Sequence, residues 1–112
     1  MDYYERVMTA LEEYFHVIQK KDWKKLFLTG GCYWLADYVC RGIPGSYLVI
    51  NRAEEHCAVW IQGSVYDVRG KISGQNFRRA TERDISFMKK NYVAGDEVRA
   101  AGEWMRERKI LL

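Results

Sequence analysis

Apolar residues recur every three to four positions through Tyr4, Val7, Met8, Leu11, Tyr14, Phe15 and Ile18, and this spacing predicts an amphipathic helix over residues 2–20. Trp23 follows among Lys20, Lys21, Lys24 and Lys25, which read as a solvated face. Gly30-Gly31 breaks the chain. Residues 32–41 then carry Trp34, Leu35, Tyr38 and Val39 along one side of a second helix, stopped by Gly42-Ile43-Pro44-Gly45. In the middle of the chain the period changes to two. Tyr47–Ile50 is a short apolar strand. Residues 56–62 and 65–70, rich in Val, Ile, Trp and Tyr, make an antiparallel hairpin with its turn at Gln62-Gly63. Beyond Gly74 the helical period returns. Thr81 with Asp84 three residues on has the form of a helix cap, and Ile85, Met88 and Tyr92 follow at helical spacing. Gly95-Asp96 precedes a last helix with Val98, Ala101 and Met105 inside. Helices, a compact sheet and helices again make an α+β pattern, with helices packed on a small antiparallel sheet.

Composition narrows the classes. A chain of 112 residues is expected to be a single domain, residues 1–112, burying roughly 65% of its unfolded surface. Apolar residues at 48% and charged residues at 29% describe a folded globule rather than a disordered chain. A net charge of +3 does not argue for a nucleic-acid partner. The longest apolar runs are a few residues, too short for a membrane span. The start, M-D-Y-Y-E-R, lacks the basic-then-apolar profile of a secretion signal. Three cysteines cannot all pair within one chain, so free thiols in a reducing cytoplasm are expected.

The candidate chemistry lies in three runs. Cys32 stands in T-G-G-C-Y-W, where two glycines and a helix start present N–H groups and a dipole that favour a thiolate. His56 opens H-C-A-V-W-I-Q-G, and Asp67 stands in S-V-Y-D-V-R-G. With the turn at Gln62-Gly63, Ile61 faces Ser64 and Ala58 faces Asp67. His56, Ala58, Trp60 and Asp67 then share one face, and His56 and Asp67 are diagonal neighbours. A slip of one residue separates them. Nucleophile, base and orienter of the base are thus available in Cys32, His56 and Asp67. Asn51 is the second candidate orienter. Cys40 and Cys57 read as structural thiols. A zinc site from Cys32, Cys40, His56 and Cys57 has suitable ligand types, but its spacings match no common pattern.

The run G-G-C-Y-W, followed by H-x-x-V-x-I-x-G-x-x-Y-D-x-x-G, resembles the papain-like and transglutaminase-like cysteine peptidases, in particular compact bacterial or phage-type members. The resemblance covers roughly residues 29–70. It implies a papain-like core and cleavage or transfer of an amide, thioester or isopeptide bond. Cys32 would attack the carbonyl, His56 take its proton and Asp67 orient the imidazole, with the Cys32 backbone N–H as one oxyanion donor. Gly31, Trp34 and Trp60 are the expected substrate-binding residues, and the substrate is a protein or peptide. No cofactor and no metal is implied. The rival reading is a non-enzymatic binding protein on the same scaffold, such as a phage or mobile-element inhibitor of a host factor.

Overall fold

The computed structural model describes residues 2–108. Among them are four α-helices and five strands: α1 (Asp2–Val17), α2 (Gly31–Arg41), β1 (Tyr47–Asn51), β2 (His56–Ile61), β3 (Ser64–Asp67), β4 (Gly70–Ile72), β5 (Arg78–Arg79), α3 (Glu82–Asn91) and α4 (Asp96–Glu107). The fold is α+β. The strands form one antiparallel sheet in the order β4-β3-β2-β1-β5.

The apolar periodicity of α1 becomes a buried stripe of Tyr3, Tyr4, Val7, Ala10, Leu11 and Phe15. The helix ends three residues earlier than its pattern predicts. Gln19 takes a positive φ of 60°, and Lys20 N–H turns back to the Phe15 carbonyl at 2.9 Å, which closes the helix and leaves Val17 and Ile18 exposed. A short 3-10 turn, Trp23–Phe27, follows. Trp23 is buried and stacks on Phe15 at 5.1 Å, while Lys21, Lys24 and Lys25 stay in solvent.

The β2–β3 hairpin turns at Gln62-Gly63, both with positive φ, as a two-residue hairpin loop requires. Its register is Ile61↔Ser64, Trp60↔Val65 and Val59↔Tyr66, the alignment expected from the sequence. The predicted strand over 65–70 is in fact two, β3 and β4, separated by a tight turn in which Gly70 has φ 100°. β5 lies on the far edge against β1, and its two arginines are exposed. Residues alternate along the sheet. Leu48, Ile50, Cys57, Val59 and Ile61 join the main core with the helices, whereas Val49, Ala58 and Val65 form a smaller cluster with Tyr47, Trp60, Ile72 and Phe77. Thr81 caps α3 reciprocally with Asp84, whose carboxylate also takes a two-pronged contact from Arg78. That fork ties the edge strand to α3.

Candidate active site

α2 brings Cys32 to the sheet. Glycine is required at its start by close approach: a Cβ on Gly30 would stand 2.5 Å from the Val93 carbonyl oxygen, and one on Gly31 2.5 Å from that of Leu26. Cys32 is therefore the second residue of a helix whose first turn is pressed between the 3-10 segment and the α3–α4 connection. The Cys57 backbone N–H donates to the Cys32 sulfur at 3.4 Å, so the thiol lies against the start of β2.

His56 is the first residue of β2, directly before Cys57. Its Nε2 is 2.8 Å from Asp67 Oδ2, and both side chains are almost wholly buried. Cys32, whose sulfur takes the Cys57 N–H, is the next neighbour after Asp67 that raises the imidazole pKa. With Nε2 committed to Asp67, Nδ1 is the nitrogen left for the sulfur. The Phe77 ring meets the imidazole edge-on at 6.1 Å.

Asp67 ends β3 and is 5% exposed. It also accepts from the Arg69 backbone N–H at 2.8 Å and from the Arg69 guanidinium at 2.6 and 3.1 Å. The Asp67-Val68-Arg69 turn thus folds its own counter-charge onto the carboxylate. From the other side, the Tyr4 hydroxyl of α1 donates to the Asp67 carbonyl.

The electrostatics follow from these contacts. Burial alone would lower the His56 pKa, but the hydrogen bond to Asp67 and then the Cys32 side chain outweigh it and raise it to about 9. Burial likewise pushes the Asp67 carboxyl up, yet His56 and Arg69 hold it at about 2. At neutral pH the pair is therefore an imidazolium beside a carboxylate. Cys57 differs from its neighbour. Burial drives its thiol pKa far up, so it is an inert core group.

Three expected site residues come together, Cys32, His56 and Asp67. Asn51 does not join them: its side chain donates to Glu54 Oε1 at 2.9 Å and accepts from Glu54 N–H at 3.2 Å, shaping the β1–β2 turn. Gly31 is buried against Leu26. The Trp34 ring lies over Tyr38 at 5.0 Å and against Gly102, and Trp60 stacks on Tyr47 at 4.6 Å in the smaller cluster. Cys40 points its sulfur at the Ser46 carbonyl. Among the described residues no group of three or more His, Cys, Asp or Glu is placed to hold a metal.

One expected donor is spent. The Cys32 N–H donates to the Thr29 carbonyl at 3.1 Å rather than standing free for an oxyanion. Two residues around the site escaped the sequence reading. Arg69 sits in a turn with nothing to mark its partner. Tyr92, at the C-terminal cap of α3, falls on the apolar period of that helix and reads as core.

Cys32 is only 2% exposed. Beneath it lies a cavity of about 10 Å³, lined by Tyr4, Phe27, Ala58 and Asp67 among others, space for about one water. Outside, a groove of about 380 Å³ runs past Thr29, Gly30, Glu55, Phe87 and Tyr92. A second, of about 360 Å³, passes Arg69, Asn51 and Phe77. Glu54, in the turn that leads into His56, lines both.

No helix among the described residues is long and apolar enough to cross a membrane. No curated protein matches the chain, and no solved structure matches it. The family comparison does give a match, over residues 7–106, nearly the whole chain and all three groups of the site. The chain belongs to the Phage YunG-like protein family, a phage-associated family by its description.

Proposed function

We propose that the chain is a small thiol hydrolase or acyltransferase acting on an amide, thioester or isopeptide bond of a protein or peptide, in the manner of papain-like enzymes. One observation carries the reading: a buried imidazole bonded to a carboxylate, with a cysteine from the second residue of a helix set against the neighbouring backbone N–H. A purely structural histidine needs no thiol beside it. A structural cysteine needs no charged neighbour.

In this reading the Cys32 sulfur attacks the carbonyl carbon and the π pair moves to oxygen. As the intermediate collapses, the bond to the leaving group breaks and His56 supplies its proton. The acyl group is left on Cys32 as a thioester. Water or an amine then attacks, giving its proton to His56, and the bond to sulfur breaks to release the Cys32 thiolate beside the imidazolium. Asp67 keeps the imidazole oriented and charge-balanced throughout. Arg69 fixes Asp67, and so does Tyr4 through the backbone. The three thiols are free, which suits a reducing compartment.

The deep burial of Cys32 favours a second reading, a phage-encoded binding protein on this scaffold that acts on a host factor without turnover. Iodoacetamide labelling near neutral pH, resolved by site with mass spectrometry, separates the two. The enzyme reading expects Cys32 to react well ahead of Cys57, and His56→Ala to remove that lead. Cys32→Ala should also end the protein's cellular effect while leaving the fold intact. If Cys32→Ala keeps the effect in full, the protein works by binding.

A further inference from the structure

An acyl-transfer site needs a donor aimed at the oxygen that becomes negative, and the Cys32 N–H is already committed to Thr29. The donor must then be another polar group near the start of α2 that makes no other bond. The Tyr92 hydroxyl is shut off from solvent and has no hydrogen-bond partner among the described residues. A buried hydroxyl without a partner costs roughly 1–3 kcal/mol, so its persistence asks for a reason.

Its position is fixed from three sides. Tyr92 caps α3, its N–H held by the Met88 carbonyl at 2.7 Å. Phe87 packs edge-on to its ring at 5.9 Å. The next residue, Val93, lays its backbone on Gly30, two positions before Cys32. Tyr92 thus lines the outer groove together with Thr29 and Gly30. The phenol also senses the nucleophile: burial first, and then Cys32 ahead of every other charged neighbour, raises its pKa, so it keeps its proton.

We propose that the Tyr92 hydroxyl is the oxyanion donor of the Cys32 site. The inference rests on the thiol-hydrolase reading and adds a catalytic residue to it. When the Cys32 sulfur bonds to the carbonyl carbon, the oxygen takes the π pair and accepts a hydrogen bond from the Tyr92 O–H. No proton moves. The bond strengthens as charge builds, then relaxes when the carbonyl reforms and the leaving group departs with the His56 proton. The unmet donor in the resting state is pre-set for a charge that exists only in the transition state.

The test compares two reactions of the same sulfur. Alkylation by iodoacetamide forms no oxyanion, whereas acylation by phenyl thioacetate does. Both are read as mass added at Cys32 over time. Tyr92→Phe deletes one partnerless hydroxyl and should melt like wild type. Its acylation rate should fall on the order of 10²-fold, the loss typical of a missing oxyanion donor, with alkylation unchanged. Equal acylation in Tyr92→Phe and wild type overturns the role of Tyr92 and leaves the thiol reading standing. A matched fall in both rates also overturns it, since Tyr92 would then only position the thiol. If wild-type Cys32 reacts with neither reagent, or reacts with both regardless of His56→Ala, the thiol-hydrolase reading falls and this inference with it.

Discussion

Asp67→Asn isolates the charge that keeps His56 protonated. The substitution preserves shape and one acceptor oxygen but removes the anion. In the wild type the His56 pKa stands at about 9 against an ordinary 6.5. At about 1.4 kcal/mol per pKa unit, that rise bounds the stabilisation of the imidazolium at about 3 kcal/mol. The carboxylate end gives a smaller figure. Asp67 held at about 2 against 3.8 corresponds to about 2 kcal/mol, shared with Arg69. The two ends describe one bond and are not added. Cys32 supplies part of the His56 rise, so about 2 kcal/mol is the better value for the His56–Asp67 contact. The pH window follows from the directions. A raised histidine pKa means that the folded chain holds the proton more tightly than the unfolded chain. That stability is complete below pH 6.5 and is lost as pH rises through about 9. The lowered Asp67 pKa contributes above 3.8 and is lost as pH falls through about 2. Wild type should therefore exceed Asp67→Asn by about 2 kcal/mol near pH 5.5, with the gap narrowing towards pH 10. For a chain of this size that is a Tm difference of roughly 8 °C in thermal melts followed by circular dichroism. NMR titration of the His56 ring should show its pKa falling well below 9 in the variant. A wild-type His56 that titrates near its ordinary value, or a stability gap indifferent to pH, would refute the reasoning.

Four further predictions follow from packing. Gly30→Ala drives a Cβ towards the Val93 carbonyl, so it should cost roughly 1–3 kcal/mol in urea unfolding and slow acylation of Cys32 by moving Tyr92. Gly95→Ser meets open space at an extended N-cap of α4 and should stabilise by roughly 0.5–1 kcal/mol in the same experiment. Phe27→Ala empties a fully buried site and should cost about 3–5 kcal/mol. Trp60→Ala should cost less in a parallel melt, because the ring is half-buried and loses chiefly its Tyr47 stack.

What could be read from the sequence was what local rules control. The two-residue turn at Gln62-Gly63 sets the register of β2 and β3, and register alone puts His56 and Asp67 within reach. The glycines before Cys32 signal a helix start, although their reason is tertiary: two carbonyl oxygens occupy the space of a side chain. What could not be read depends on distant partners. β5 is two arginines, residues with no strand preference, paired because an edge of β1 is open and Asp84 is near. Arg69 has the look of a solvated turn residue until the carboxylate it clasps is known. Tyr92 fits the apolar stripe of α3 as well as Phe would, so periodicity hides the one atom that distinguishes them. The Cys32 N–H seemed free because helix starts usually leave such groups unpaired, and here the preceding segment supplies Thr29.

The bond from Tyr4 to the Asp67 carbonyl spans 63 residues, and it has a consequence for how the protein is born. α1 is made well before β3, so its contact with Asp67 waits until that strand has followed. The groove beside the start of α2 waits longer, because Val93 and Tyr92 come later still. Closing such long loops is slow, so the sulfur should spend the early life of each chain uncovered. A nascent chain halted before α3 would carry Cys32, His56 and Asp67 with no wall beside them. In that interval the thiol is most open to oxidants, and a folding delay would be recorded as damage at Cys32.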